Sequence, residues 1–286
     1  MTSRTTTDYQ AMRLAGIIAV VEPAFWLGQP RRHVGSFDDY FLSLLGWERF
    51  RASQFGIRHF CTLGLNPKEA NHPTLAAEVL ELLDLYLEKE GVVAVGEIGL
   101  DDGGRAEEQV LEAQIALAQR HGLPVLIHTP HRDKLAGTRR ILDIVRNSGI
   151  APERVLIDHN VETTIALTLN SGCWAGHTIY PGTKMDEARM VELVKIHGAE
   201  RIMVNSSADW GISDPLKVPK TVAAMRQAGI PDQTIATIVW HNPVAFFAQS
   251  GRLDPQEVAR PLPVDQRMLH EGNSVLRGQA AVVEDG

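Results

Sequence analysis

The sequence predicts an α/β protein of the (β/α)8, TIM-barrel type that lacks its first strand. Three observations carry this. Short runs rich in Val, Ile and Ala alternate with longer amphipathic stretches up to about residue 250, the pattern of a parallel sheet. Most of the short runs are apolar on both faces, as strands covered on two sides are. Polar residues of the kind that bind metals recur where these runs stop, and the C-terminal strand ends are the active face of a barrel.

The elements follow in order. The opening MTSRTTTDYQ reads as a helix start, with Thr and Ser as caps and Asp8 in the first turn, and predicts a helix over 5–15. GIIAVVE (16–22) is the first strand. Helix 37–54 leads to the strand IRHFCTLGL (57–65), and helix 73–90 to GVVAVGEIGL (91–100). Helix 105–121 leads to LPVLIHT (123–129), helix 135–148 to RVLIDHN (154–160), and helix 161–171 to GCWAGHTIY (172–180). Helix 184–198 leads to RIMVNSS (201–207), and helices over 216–228, 231–238 and 242–250 close the pattern. An open doubly wound sheet is the rival topology, but no G-x-G-x-x-G follows the early strands, and GEIGLDDGG (96–104) places acidic groups where phosphate would sit. Residues 1–253 form one barrel domain on this reading. The Pro- and charge-rich stretch 254–286 is an extended tail adding little to the core.

Composition narrows the function. The 286 residues carry a formal charge of -7, which argues against holding nucleic acid by a basic surface, though not against one local phosphate site. No run of about 18 apolar residues appears, so no membrane span is expected. In LAGIIAVVEPAF (14–25), Glu22 and Pro23 interrupt what could pass for a signal-peptide core. Two cysteines, Cys61 and Cys173, make no disulfide framework, which fits a cytoplasmic location.

Side chains at the strand ends point to a divalent-metal site. Glu97, His128 and His159 follow apolar runs in successive units, and Asp209 stands two residues past the last strand. Imidazole and carboxylate suit Zn, Mn or Fe, a carboxylate can bridge two ions, and a bound ion brings its water to a pKa near 7. The expected ligands are Glu97, His128, His159 and Asp209, for one or two divalent ions of Zn, Mn or Mg type. Asp209 competes with a role as a helix cap, and a barrel-interior role for His177 weighs equally with a substrate role. His131 and Arg132, in the loop after His128, and Trp26, just past the first strand, are the other substrate-side residues; Trp26 serves equally well as ordinary packing.

These residues resemble a family. GEIGLD (96–101), His128 after a strand, His159 after the next and an Asp beyond the last resemble the TatD-related metal-dependent hydrolases of the amidohydrolase superfamily. GLNPKEAN (64–71) is similar to the family's G-x-H-P-x-x-A segment with Asn66 in place of His, and HNPVAFF (241–247) to its closing helix. EPAFWLGQP (22–30), GWERFRASQFGI (46–57), IHTPHRDK (127–134), TIYPGTKM (178–185) and NSSADWGISDP (205–215) resemble more closely the TatD-like proteins of "ebo" operons. The resemblance implies a (β/α)8 hydrolase in which Glu97 bridges two metals, His128 and His159 bind one of them, and Asp209 is a ligand and general base. The family's E-T-D reads here as NSSAD, so Ser207 is the other residue that could stand at that position.

The family's first-strand D-x-H-x-H is missing from the sequence. Either Met1 lies just past that motif in a longer chain, or the chain is truncated. The exposed edges of a barrel one strand short favour the first. The resulting expectation is a hydrolase, impaired in this form, that uses metal-bound hydroxide on a phosphoester or amide-type bond of a small or anionic substrate, with nucleic acid less favoured. The alternative is a metal-poor accessory protein of a biosynthetic operon that keeps the barrel.

Overall fold

The computed structural model describes residues 1–180 and 182–264. Seven parallel strands form one curled sheet in sequence order: β1 (Ala19–Pro23), β2 (Arg58–Leu63), β3 (Val92–Gly99), β4 (Val125–His128), β5 (Val155–Ile157), β6 (Trp174–Ile179) and β7 (Ile202–Ser206). Every neighbouring pair is parallel, and β1 and β7 are its edges. This is a TIM-type barrel one strand short of closure.

The helices are α1 (Thr6–Leu14), α2 (Val34–Leu42), α3 (Arg49–Ser53), α4 (Pro73–Tyr86), α5 (Arg105–Arg120), α6 (Lys134–Ser148), α7 (Ile165–Asn170), α8 (Glu187–His197), α9 (Lys217–Gln227), α10 (Asp232–Ala236), α11 (Asn242–Ala248) and α12 (Pro255–Val258). None is long and apolar enough to cross a membrane. The helix expected over 37–54 is instead α2, a wider π-turned stretch at Ser43–Glu48, and α3. The widened turns let Leu44 and Glu48 both face inward, at 0% and 1% exposure. A similar stretch at Thr237–His241 joins α10 to α11 ahead of Pro243, whose ring nitrogen cannot donate to the preceding turn.

Alternation along the strands builds two layers inside the sheet. The lower layer is apolar: Val93, Ala94, Leu126, Leu156 and Met203 cluster with Phe246 and Phe247 of α11, Leu253, and Val258 of α12. The tail expected to be extended from residue 254 therefore starts as a packed helix. Asp254 caps it through the Gln256 amide, and Val258 is buried because the barrel floor needs an apolar plug. The remainder of that tail, from residue 265, lies outside the described residues. The upper layer is polar and is where the candidate site lies.

β1 starts at Ala19 rather than at residue 16. Gly16, at φ +91, and the Ile17 amide bonded to the Met12 carbonyl form the turn that ends α1. Ile17 and Val20 then pack with Tyr9, Met12, Phe55 and Ile57 behind the sheet.

Candidate metal centre

β3, β4 and β5 end side by side, and their register brings three side chains together. One ligand atom each from Glu97, His128 and His159 lies within 4.8 Å of the others. Glu97 Oε1 stands 3.3 Å from His128 Nδ1 and 3.0 Å from His159 Nε2, and the two imidazoles meet edge to face, 4.8 Å between centroids. His159 reaches this position from a left-handed backbone, φ +63, immediately after the strand. Such a conformation is uncommon outside glycine. It is held by the carboxylate of Asp158, whose Oδ1 accepts from the His159 amide at 2.7 Å.

Glu97 and His159 have outer support. Asn66 Nδ2 donates to Glu97 Oε2 at 3.0 Å. His159 Nδ1 lies 2.7 Å from Thr178 Oγ1, and Asp158 Oδ1 also accepts from Asn205 Nδ2 at 3.0 Å. Metal-binding sites use such outer partners to fix ring tautomer and orientation. A Cβ at Gly176 would lie 2.5 Å from Asp158 Oδ1, so the close approach of β6 to that carboxylate requires glycine.

The protonation states suit a cation. Burial works to push the Glu97 carboxyl up, but hydrogen bonds and charge from His128 and His159 outweigh it and hold Glu97 well below the usual carboxylate range. Asp158 is likewise held down: the His159 ring and amide and the Lys184 ammonium offset its burial. Burial, then the Lys184 ammonium, bring His159 down to about 4, which leaves its ring neutral at pH 7. A bound ion needs such an anionic carboxylate and neutral imidazole. The donor set of two nitrogens and a carboxylate fits a divalent ion of the zinc type.

The mouth above the cluster is a continuous ring of contacts. From Asn66 it passes to Lys68, whose Nζ lies 5.3 Å from the Trp26 ring. Trp26 meets Trp210 edge to face at 5.8 Å, and Trp210 is 54% exposed. Asp209 is next to it; its Oδ1 accepts from the Gly211 amide at 2.9 Å and from the Tyr180 hydroxyl at 3.4 Å. Lys184 Nζ stands 5.7 Å from the Tyr180 ring and 3.3 Å from His159 Nε2, which returns the ring to the cluster.

The sequence-expected residues divide accordingly. Glu97, His128 and His159 come together. Asp209 is at the rim, outside the three-residue group, with Oδ1 engaged in its own turn. Ser207 bridges to Asp214 in the same loop. His131 and Arg132 are exposed on the loop after β4, His131 stacking 6.4 Å from the His159 ring. Trp26 is half-buried at the mouth. His177 is fully enclosed on the opposite face of β6 from Thr178, with Nδ1 3.1 Å from the Asn160 carbonyl, and burial brings it down to about 4. Ala175 and Ile179, two residues to either side on that strand, pack in the outer helix layer, so β6 aims His177 away from the mouth.

Asp158, Thr178, Asn205 and Lys184 contribute although sequence reasoning assigns them no site role, while Asn66, the residue in place of the family's His, braces Glu97. The available signal was period-2 alternation: Thr178 and Asn205 share the inward face with Gly176 and Met203.

A curled parallel sheet with a carboxylate and two imidazoles at consecutive strand ends defines the barrel class of metal-dependent hydrolases. Within that class the chain belongs to the TatD-related DNase family, whose model matches residues 47–248. It is 26% identical over 249 residues to an uncharacterized metal-dependent hydrolase of Methanocaldococcus jannaschii, covering 85% of this chain and 95% of that one. It is 25% identical over 193 residues to a 3'-5' ssDNA/RNA exonuclease TatD from a Pantoea species, covering 64% and 71%. The crystal structure of a TatD-like protein from Archaeoglobus fulgidus superposes with a TM-score of 0.72 at 26% identity, covering 86% of this chain and 96% of that one.

Proposed function

We propose that the chain is a divalent-metal-dependent hydrolase that holds an ion through Glu97, His128 and His159 and cleaves a phosphoester or amide-type bond in a small or anionic substrate. The convergence of those three ligand atoms within 4.8 Å carries the reading. The ion, when bound, supplies Lewis acidity and an activated water. The chain's own residues do the rest. Thr178 and Asp158 fix the His159 ring and backbone, and Asn66 fixes the outer carboxylate oxygen of Glu97. Trp26, His131 and Arg132 line the approach. Asp209 lies outside the three-residue group with its Oδ1 held by Gly211 and Tyr180, and its other carboxylate oxygen acts as proton acceptor at the rim. His177, walled off behind β6, takes no part in binding. Three protein ligands favour one tightly held ion over two.

A formal charge of -7 supports a small substrate over a nucleic acid strand. The buried free thiols of Cys61 and Cys173 support a cytoplasmic location. The test is metal content per chain, with rates on ester, lactone, amide and phosphodiester substrates before and after chelation. Close to one ion per chain is expected, with a chelator-sensitive rate that Glu97→Gln abolishes. A chain that binds no divalent ion and gains no rate from added metal would overturn the reading.

A further inference from the structure

Two lysines stand over the cluster without being needed to hold it together. Lys184 Nζ lies 3.3 Å from His159 Nε2 and 3.4 Å from Nδ1. Near-equal distances of that length put the ammonium over the ring face, since a position in the ring plane would collide with the carbon between the nitrogens. Both in-plane directions are already taken, Nδ1 by Thr178 and Nε2 by Glu97. Lys134, at the start of α6, donates to Thr129 Oγ1 at 3.0 Å, and that hydroxyl donates to the Asp158 carbonyl at 2.8 Å. Both lysines thus reach the Asp158–His159 end of β5, Lys184 at the His159 ring and Lys134 through Thr129 at the Asp158 carbonyl. Burial first, then the Lys184 charge, brings the Lys134 amine down to about 8.

Neither lysine has a carboxylate to answer it. Lys68, Lys195, Lys217 and Lys220 each pair with an acid at 2.5–2.8 Å. Among the described residues Lys134 and Lys184 form no such pair. The acid they both feel is Asp158, whose oxygens are engaged by the His159 amide and Asn205. Two half-buried cations without counterions, converging beside a site of hydrolase type, are an arrangement that an incoming anion completes.

We propose that Lys184 and Lys134 form a seat for the non-bridging oxygens of a phosphoryl group, so that the substrate is a small phosphate ester carrying negative charge rather than a neutral ester or lactone. His131, exposed beside them, borders the seat on the solvent side. This rests on the hydrolase reading for its substrate meaning, but the seat can be measured without metal.

The test is calorimetric titration of the metal-free protein with inorganic phosphate, alongside Lys184→Met, Lys134→Met and Lys184→Arg. Metal stoichiometry is determined separately on each. Phosphate is expected to bind the parent chain and to weaken by about tenfold or more in each Met variant, the loss of one charge-assisted contact. Lys184→Arg is expected to retain binding, and all variants to take up metal as the parent does. Unchanged phosphate affinity in folded Lys184→Met and Lys134→Met, or no phosphate binding by the parent, would overturn the seat. A single-stranded oligonucleotide that binds more tightly than phenyl phosphate, with the same lysine dependence, would overturn the small-ester assignment. Failure of the parent to bind metal while phosphate binding follows the lysines would strike the hydrolase reading and leave the seat standing.

Discussion

Asn66 Nδ2 lies 3.0 Å from Glu97 Oε2, while the other oxygen of that carboxylate faces both histidines. The two oxygens thus have separate tasks. Oε1 points to the place an ion would occupy, and Oε2 is tied to the loop after β2. Asn66 is itself fixed, its Oδ1 accepting from the Lys68 amide at 3.1 Å. Removing such an outer partner usually weakens metal binding by about 10–100-fold. Asn66→Ala is therefore expected to raise the Kd for zinc by that factor while leaving the melting temperature within a few degrees. A competition titration with a chromophoric chelator reads it. An unchanged Kd would show that Glu97 needs no such brace.

Gly176→Ala tests the other flank. The added methyl would meet Asp158 Oδ1 at 2.5 Å and Cγ at 3.1 Å. The carboxylate must then leave either Asn205 or the His159 amide, and His159 holds its left-handed backbone through that amide. Overpacking of this kind costs about 1–3 kcal/mol. The expected result is a lower urea midpoint together with a metal affinity reduced by more than the stability loss alone would explain. Metal affinity equal to that of the parent chain would separate Asp158 from the site.

Acid sensitivity follows from His159 and His177. Both are brought from 6.5 to about 4 by burial, so the folded chain refuses a proton that the unfolded chain accepts. Their stabilising effect is complete above the unfolded value of 6.5 and is lost as pH falls toward 4. Each contributes on the order of 3 kcal/mol across that window. Glu97 and Asp158, held below the ordinary carboxylate range, contribute stability that is lost at lower pH, outside most of this window. His177→Gln should therefore make the decline in urea midpoint between pH 7 and pH 4.5 clearly shallower, with metal binding at pH 7 unchanged. Parallel declines in the variant and the parent would exclude His177 as a source.

The parts of this fold legible in the sequence are those with strong local patterning. All seven strands were placed within a few residues, because an apolar run covered on both faces has few alternatives in an α/β chain. Glu97, His128 and His159 were legible for the same reason, as polar residues that interrupt or end such runs. The loops were not. Asp209 stands two residues past β7, where no periodicity says which way the chain turns, and its carboxylate closes its own loop through the Gly211 amide. Lys184 lies 25 residues beyond His159, and nothing local to either signals that they meet. His177 and Thr178 are adjacent, and only the inward or outward phase of β6 decides which reaches the site. The packed α12 was hidden for a different reason: four residues between prolines and charges carry too little pattern to stand out from an extended chain.

The role of α12 gives the last prediction. Its Val258 is 2% exposed and Leu253, just before it, 5%, and both join Phe246 and Phe247 beneath Leu126, Leu156 and Met203. Trp240, Val244 and Ala248 pack against the same cluster, so α11 and α12 together cover those inward residues of β4, β5 and β7. An open sheet missing one strand depends on that plug more than a closed barrel would, because β1 and β7 share no hydrogen-bonded ladder and side-chain contacts such as Trp26 with Trp210 and Arg4 with Ser213 span the gap instead. Removing two buried methyl groups from a floor that cannot easily collapse costs the transfer of those atoms plus a cavity, about 1–3 kcal/mol. Val258→Ala is expected to lower the urea midpoint accordingly. Val258→Asp, which buries an unpaired carboxylate, should cost several times more or prevent folding. Metal stoichiometry in the folded Ala variant should be unchanged, since the polar layer lies at the other end of the strands. Equal midpoints for Val258→Ala and the parent chain would show that α12 rests on the barrel without supporting it.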